Sequence, residues 1–162
     1  MILVVGALLG FFSVAFGAYS DHGLRPKVSD EEFRMLMTAI RYNQVHALMI
    51  SALGLFTLLK KDFSKIHLFK QSGFLFIVGT ILFSFSIYTS VVLEILQLNI
   101  SPNIQQIFFT IQTPLMYLMH FMFQIPNLLY LTPIGGITLM ISWLSLAYAA
   151  YRTCKKSDLI HS

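Results

Sequence analysis

The stretch QSGFLFIVGTILFSFSIYTSVVL, residues 71–93, decides the fold of this chain. Its 23 residues include no Asp, Glu, Lys or Arg. A helix rises about 1.5 Å per residue and the hydrocarbon core of a bilayer is about 30 Å thick, so about 20 such residues cross a membrane once. The stretch therefore predicts a membrane-spanning helix.

The composition of the whole chain supports this prediction. Of its 162 residues, 56% are hydrophobic and 11% are charged, whereas soluble domains carry about 25% charged residues. These values exclude a soluble globular protein, and the excess of apolar residues excludes a disordered chain. The net charge is +4. The charged residues lie in a few short clusters between long uncharged stretches, so we expect no nucleic-acid partner. The sequence thus predicts an integral membrane protein.

Four spans are expected, at about residues 2–20, 43–59, 71–93 and 131–151. The last is taken from the 57-residue stretch 95–151, which lacks charged residues and is too long for one crossing. The first span resembles a secretory signal peptide around Ala15 and Gly17, but its length and the lack of a preceding Lys or Arg favour a retained helix. We expect a single all-α membrane domain over residues 1–162, built as a four-helix bundle.

Positive charges near the span ends predict the orientation, because basic loops stay in the cytoplasm. Seven lie on one side, in the loop between spans two and three and in the C-terminal tail: Lys60, Lys61, Lys65, Lys70, Arg152, Lys155 and Lys156. Four lie in the loop between spans one and two: Arg25, Lys27, Arg34 and Arg41. This balance places both termini in the cytoplasm, with the chain in the plasma membrane, which is the inner membrane in a bacterium.

Residues 97–130 are expected to form a hydrophobic insertion between spans three and four. Within it, residues 107–123 are apolar enough for a fifth crossing. That crossing would separate the basic loop from the basic tail and place Pro114 in mid-span, so an interfacial helix or a re-entrant hairpin fits better. A crossing remains the alternative.

A helix is predicted to begin at Asp30, before the second span. Ser29 and Glu32 have the spacing of a capping box. The apolar residues that follow, Phe33, Leu36 and Ile40 among them, recur at helical spacing and predict an amphipathic helix that continues into span two.

Small residues predict where helices pack closely, since they let backbones approach in lipid. On the first span they form one face, for which packing within the bundle is favoured over a homodimer interface. Thr80, Ser84 and Ser86 are expected to bond to carbonyls of their own helix. Thr132 and Pro133 resemble a helix start, with Thr as the cap, and Trp143 is expected in the bundle core. The predicted packing positions are Gly6, Gly10, Ser13, Gly17, Gly79, Ser84, Thr132, Pro133, Gly135 and Gly136.

The candidate polar or ligand site consists of His22, Tyr42, His46 and Glu94. Ionisable groups are costly near hydrocarbon and are therefore functional candidates, and all four are expected towards the outer side. A metal site from His22, His46 and Glu94 is one interpretation. However, no metal-binding or catalytic spacing is present, so we expect no metal, no cofactor and no catalytic residues. His46 is instead expected to be a buried hydrogen-bonding residue that closes the outer end of the bundle.

Four motifs in the chain resemble those of the small inner-membrane proteins of the YgdD type, catalogued as domain of unknown function 423. Gly17-Ala18 with His22-Gly23-Leu24 is similar to the family's G-A-H-G-L, interrupted here by three residues. Tyr42 with His46-Ala47-Leu48 is similar to its Y-x-x-x-H-x-L. The other two resemblances lie in spans three and four, at residues 79–88 (G-T-x-L-F-S-x-S-x-Y) and at residues 132–136 (T-P-x-G-G) with the later Trp143.

The chain departs from this family pattern at Phe85, at Ser142 and in about 30 extra residues between Leu96 and Leu131. The resemblance implies a four-helix membrane bundle and supplies no substrate or reaction. We therefore expect a non-enzymatic structural or accessory protein that acts through helix packing and contacts with lipid, a second copy or a membrane-protein partner. The alternative is a small transporter or ligand-binding protein with a proton or metal site near the outer end.

Overall fold

The structure, a computed structural model, describes residues 1–60, 66–99 and 128–161. Within these ranges, four helical segments are long and apolar enough to cross a membrane: Ile2–Lys27, Asp30–Leu59, Ile66–Val92 and Leu131–Lys155. This confirms the predicted all-α membrane bundle with four spans.

The first span consists of helix α1, Ile2–Tyr19, followed by a π-helical turn, Ser20–Leu24, and a 3-10 turn, Arg25–Lys27. Arg25 donates to the Asp30 carboxylate at 3.4 Å. A linker of two residues, Val28 and Ser29, then leads into the next helix, which runs in the opposite direction.

Helix α2, Asp30–Leu59, contains the predicted amphipathic helix and the second span without a break. The predicted capping box is confirmed: Glu32 N donates to Ser29 Oγ at 3.2 Å, and Ser29 N donates to Glu32 Oε2 at 2.7 Å. Thirty residues make a helix about 45 Å long. Its first turns therefore extend beyond the hydrocarbon core, at the end of the bundle that we call the first-loop end.

The third span is helical throughout but is not regular. Helix α3, Ile66–Thr80, passes into a π-helical turn, Ile81–Phe85, and then into helix α4, Ser86–Asn99. A π turn contains one residue more than an α turn, which rotates the following side chains by about 100° around the axis. The predicted span 71–93 thus lies within a longer and locally widened helix.

Helix α5, Leu128–His161, contains the fourth span, and Pro133 lies inside it. The predicted helix start at Thr132 is therefore wrong, since the helix begins one turn earlier. Proline removes a single backbone hydrogen bond, the one to the carbonyl four residues before it, and the helix continues past this position. The Thr132 hydroxyl pairs with Ser86 Oγ at 2.7 Å instead of capping the helix.

The helices form two antiparallel hairpins. In the first, α1 runs against α2, so that Gly6 lies beside Ser51 and Gly17 beside Ile40. In the second, α3 and α4 run against α5, with Gly79 beside Leu139. The hairpins join where α3 and α4 pack on α2.

The core is divided into two clusters along the bundle axis. The mid-span cluster contains Leu9, Ala47, Ile50, Leu53, Phe69, Phe76, Leu139 and Ala149. The first-loop cluster contains Leu24, Leu36, Ala39, Ile40, Tyr88, Val91 and Ile95.

The greater part of the predicted insertion 97–130, including residues 107–123, lies outside the described residues. Its placement outside the bundle stays a prediction.

Candidate functional site

Helices α1 and α2 approach each other at backbone contact distance. A Cβ atom at Gly6 would lie 2.5 Å from Ser51 Oγ, and one at Gly54 would overlap the backbone of Leu3. Only glycine fits at these two positions. Gly54 was not among the predicted packing residues, although Ala47 and Ser51, seven and three residues before it, mark the same face of α2 with small side chains.

Two glycines have the same role in the second hairpin. A Cβ atom at Gly79 would lie 2.9 Å from Leu139, and one at Gly135 would overlap the backbone of Phe83. Three other predicted positions, Gly10, Gly17 and Gly136, have room for a methyl group, with the nearest atoms at 3.8, 3.5 and 3.9 Å.

Hydroxyl groups link the helices of the second hairpin. Ser72 Oγ and Ser145 Oγ are 2.9 Å apart, and Ser86 pairs with Thr132 near the opposite end. Ser13 in the first hairpin instead donates to the carbonyl of Gly10 in its own helix, at 2.7 Å. Within the described residues, no side-chain hydrogen bond joins α1 to α2.

Ser84 differs from the expectation that it bonds to its own helix. Its hydroxyl donates across the bundle to the Ala39 carbonyl of α2, at 3.0 Å. The π turn explains the difference, because it directs Ser84 away from the carbonyls of its own helix and towards α2. Thr80, one residue before the turn, does donate to its own helix, to Phe76 O at 2.7 Å.

Asn43 and Tyr88 form a second polar contact between the hairpins. Both are buried, and Asn43 Nδ2 donates to Tyr88 Oη at 3.5 Å. Asn43 Oδ1 is buried without a hydrogen-bond partner in the described part of the chain. Sequence analysis missed this pair, although an amide side chain within a predicted span was a usable signal.

His46 is buried, with 4% of its surface exposed. Its Nδ1 donates to the Tyr42 carbonyl at 2.7 Å. Since a carbonyl only accepts, the proton of the neutral ring lies on Nδ1 and the lone pair on Nε2. The ring also contacts Phe76 and Trp143, with centroids 5.7 and 6.4 Å away.

The position of His46 along the axis differs from the expected one. The next residue, Ala47, lies beside Gly10, halfway along α1, so His46 is at mid-span rather than at the outer end. The reason is the length of α2: His46 is sixteen residues, or about 24 Å, from the start of a helix that begins outside the hydrocarbon.

An open groove of about 290 Å³ runs along the outside of α2 next to α5. It is lined by Arg41, Tyr42, Val45, His46 and Trp143. Trp143 was expected in the bundle core, and this prediction is only partly correct. Its ring meets Phe76 edge-on at 5.1 Å, but 42% of its surface is exposed. Arg41 was counted as a loop charge, so sequence analysis missed the groove.

Of the four candidate site residues, the structure brings together Tyr42 and His46, whose ring centroids are 5.9 Å apart. His22 is exposed in the turn after α1. Leu24, two residues after His22, belongs to the first-loop cluster together with Leu36, and Leu36 lies about 15 Å from His46 along α2. Glu94 belongs to α4, but its side chain lies outside the described part. Among the described residues, no group of three His, Cys, Asp or Glu side chains has the geometry to hold a metal ion.

Comparison with known proteins supports the membrane assignment and identifies relatives. A UPF0382 membrane protein of Bacillus subtilis, YwdK, is 28% identical over 93% of this chain and 95% of its own length. A UPF0382 membrane protein of Haemophilus influenzae is 26% identical over 93% of the chain and 94% of its own length. One from Schizosaccharomyces pombe is 36% identical over 52% of the chain and 66% of its own length. No solved structure matches the chain significantly.

The model of one protein family, described as "Protein of unknown function (DUF423)", matches residues 16–136. That match begins near the end of α1 and ends at Gly136, so it includes the contact of Gly135 with Phe83 and the Tyr42–His46 pair. The chain therefore belongs to the DUF423 family of membrane proteins, as the sequence motifs predicted.

Proposed function

We propose that this protein is a non-enzymatic structural or accessory membrane protein. The observation that supports this most is the glycine contact in both hairpins, where Gly54 meets Leu3 and Gly135 meets Phe83 backbone to backbone. Such contacts fix helices in one arrangement. The hydroxyls of Ser72, Ser84 and Thr132 are used in the same way, as links between helices.

The outward faces of the bundle are the surfaces available to lipid, to a second copy or to another membrane protein. On α1, Val4, Leu8 and Phe11 are 60 to 75% exposed and lie along one face. On α5, Met140 and Leu144 are exposed to a similar degree. These faces are apolar, as contact with hydrocarbon requires.

The proposed location is the plasma membrane, the bacterial inner membrane, with both termini in the cytoplasm. The support is the excess of Lys and Arg on the side of the tail. Cys154 provides the test, because it is the single cysteine of the chain and its free thiol is exposed near the end of α5. A membrane-impermeant maleimide is expected to label Cys154 only after spheroplasts are permeabilised. Labelling of intact spheroplasts would reverse the orientation.

The alternative, a small transporter or ligand-binding protein, has one supporting observation. His46 Nε2 carries a lone pair and its ring lines the open groove, so it is able to accept a proton or bind a metal ion. Against this, His22 lies about 15 Å away along the axis.

Flux through proteoliposomes distinguishes the two proposals. We expect the purified full chain to pass protons and Zn²⁺ no faster than protein-free liposomes, as measured with entrapped dyes. We also expect His46→Ala to lower the yield of folded protein, since it leaves a cavity between Phe76 and Trp143. Flux in the wild type that is abolished by both His46→Ala and Glu94→Gln would support the transporter and contradict the structural role.

A further inference from the structure

Arg41 differs from the other two arginines of the first-loop end. The other two arginines near the start of α2 each have an acidic partner: Arg25 with Asp30 at 3.4 Å and Arg34 with Glu31 at 3.8 Å. Arg41 has no ion pair within the described residues, and it lines the groove with Tyr42, Val45, His46 and Trp143.

The depth of Arg41 follows from its neighbours. Ile40 lies beside Gly17, three residues before the end of the uncharged stretch 1–20. The neighbouring Tyr42 ring packs on Phe83, with centroids 4.8 Å apart. Arg41 thus lies about 5 Å inside the end of that uncharged stretch, a depth from which its side chain reaches the headgroup region. An intramembrane arginine is costly without a counter-charge.

We propose that this groove binds one glycerophospholipid. The Arg41 guanidinium holds the phosphate, whose oxygens match its fork of N–H donors. One acyl chain lies along Val45 and Trp143, with the His46 ring at the deep end. This inference rests on the lipid contacts of the proposed function and names the residues that make one of them.

The chemistry of the groove favours a lipid over other occupants. From Arg41 towards mid-span, the exposed lining of the groove is apolar: Val45 is 57% exposed, and the Trp143 ring is partly open to the groove. A free phosphate ion would gain nothing from these side chains. The groove has a volume of about 290 Å³, just below the range of about 300 to 1,000 Å³ that is typical of small-molecule pockets. This volume suits part of one acyl chain better than a packed helix of a second copy.

Native mass spectrometry of the detergent-solubilised full chain tests the proposal. The protein is titrated with phosphatidylglycerol, with diacylglycerol of the same chains and with sodium phosphate. We expect one phosphatidylglycerol to bind, diacylglycerol to bind far less and phosphate not to compete. Loss of a charge-assisted hydrogen bond in Arg41→Gln is expected to weaken phosphatidylglycerol binding about tenfold or more.

Matched variants separate the groove from general effects. Arg34→Gln, two turns away on the same helix, is expected to bind phosphatidylglycerol like the wild type. Val45→Trp fills the groove and is expected to reduce binding, whereas Leu8→Trp, at an exposed position on α1, which contributes no residue to the groove lining, is not. Both positions are exposed, so neither substitution disturbs the core.

Any of three binding results would overturn the proposal: unchanged binding in Arg41→Gln, equal binding of diacylglycerol, or displacement of the lipid by inorganic phosphate. A dimer that excludes lipid from Val45 would assign the groove to a second copy and would also overturn it. None of these results involves flux, so failure of the lipid site and failure of the non-transporting role are distinguishable.

Discussion

The two hairpins of the bundle are held together in different ways. Both use glycines at backbone contact, Gly6 and Gly54 between α1 and α2, Gly79 and Gly135 between α3–α4 and α5. The second hairpin adds two hydroxyl pairs between its helices, Ser72–Ser145 and Ser86–Thr132, whereas the first has none among its described residues. The comparison indicates that close backbone approach is the shared requirement and that hydrogen bonds are a local addition. In lipid this is expected, since apolar burial does not drive helices together there.

The largest effect is expected in the first hairpin, because among its described residues no side-chain hydrogen bond supports the glycine contacts between its helices. Gly54→Ala places a methyl group on the backbone of Leu3 and should lower the free energy of unfolding by about 1–3 kcal/mol, as overpacking does. Unfolding in mixed detergent, followed by circular dichroism, measures the change. Gly10→Ala is the control at the same interface, because its nearest neighbour would be 3.8 Å away. Equal effects of the two substitutions would contradict the account.

A smaller effect is expected from Gly135→Ala in the second hairpin, about 1–2 kcal/mol by the same measurement. The methyl group would overlap the backbone of Phe83, but the hydroxyl pairs Ser72–Ser145 and Ser86–Thr132 also hold these helices together, so less of the stability depends on the glycine contact. Gly136→Ala is the neighbouring control, since a Cβ there meets its nearest atom at 3.9 Å. A loss of stability in Gly136→Ala as large as that in Gly135→Ala would show that the contact with Phe83 is not the cause, because alanine favours a helix more than glycine does.

The contact between the hairpins is tested at Tyr88. Tyr88→Phe keeps the ring contact with Phe16, at 4.6 Å, but leaves the Asn43 amide without its partner, at a cost of about 1 kcal/mol. The double variant Tyr88→Phe, Asn43→Leu should recover most of this loss, because removing both partners of a buried hydrogen bond is nearly neutral. A double variant less stable than Tyr88→Phe alone would indicate another role for Asn43.

The smallest effect is expected for a hydroxyl pair of the second hairpin. A double-mutant cycle with Ser72→Ala and Ser145→Ala should give a coupling energy of about 0.6 kcal/mol, the average for such bonds between membrane helices. Ser72 also donates to the Leu68 carbonyl of its own helix, at 3.1 Å, which limits the loss. A coupling energy of zero would remove the distinction between the two hairpins.

The sequence was sufficient to predict the class of fold and most helix positions. Uncharged runs of about 20 residues are governed by the thickness of the bilayer, and the Ser29–Glu32 capping box is a local signal that needs no tertiary context. The start of α5 was misplaced because threonine is a common N-cap residue. In the structure, the Thr132 hydroxyl instead pairs with the hydroxyl of Ser86 on another helix.

The site was predicted less well, for a related reason. The spacing of Tyr42 and His46 placed them together on one helix face, but their depth depended on where α2 begins relative to the bilayer. The π turn at residues 81–85 has no signature in the residue types, and it directs Ser84 to Ala39. The groove needs Arg41 from α2 and Trp143 from α5, and only the packing of these helices brings the two together.

The central claim is that the buried polar residues, His46 above all, serve packing and do not hold a cofactor. Elemental and optical analysis of the detergent-purified wild type tests it most directly. The account predicts no stoichiometric transition metal and no visible absorption. A metal ion or haem bound at about one per chain and lost in His46→Gln, in a variant that otherwise folds, would contradict it.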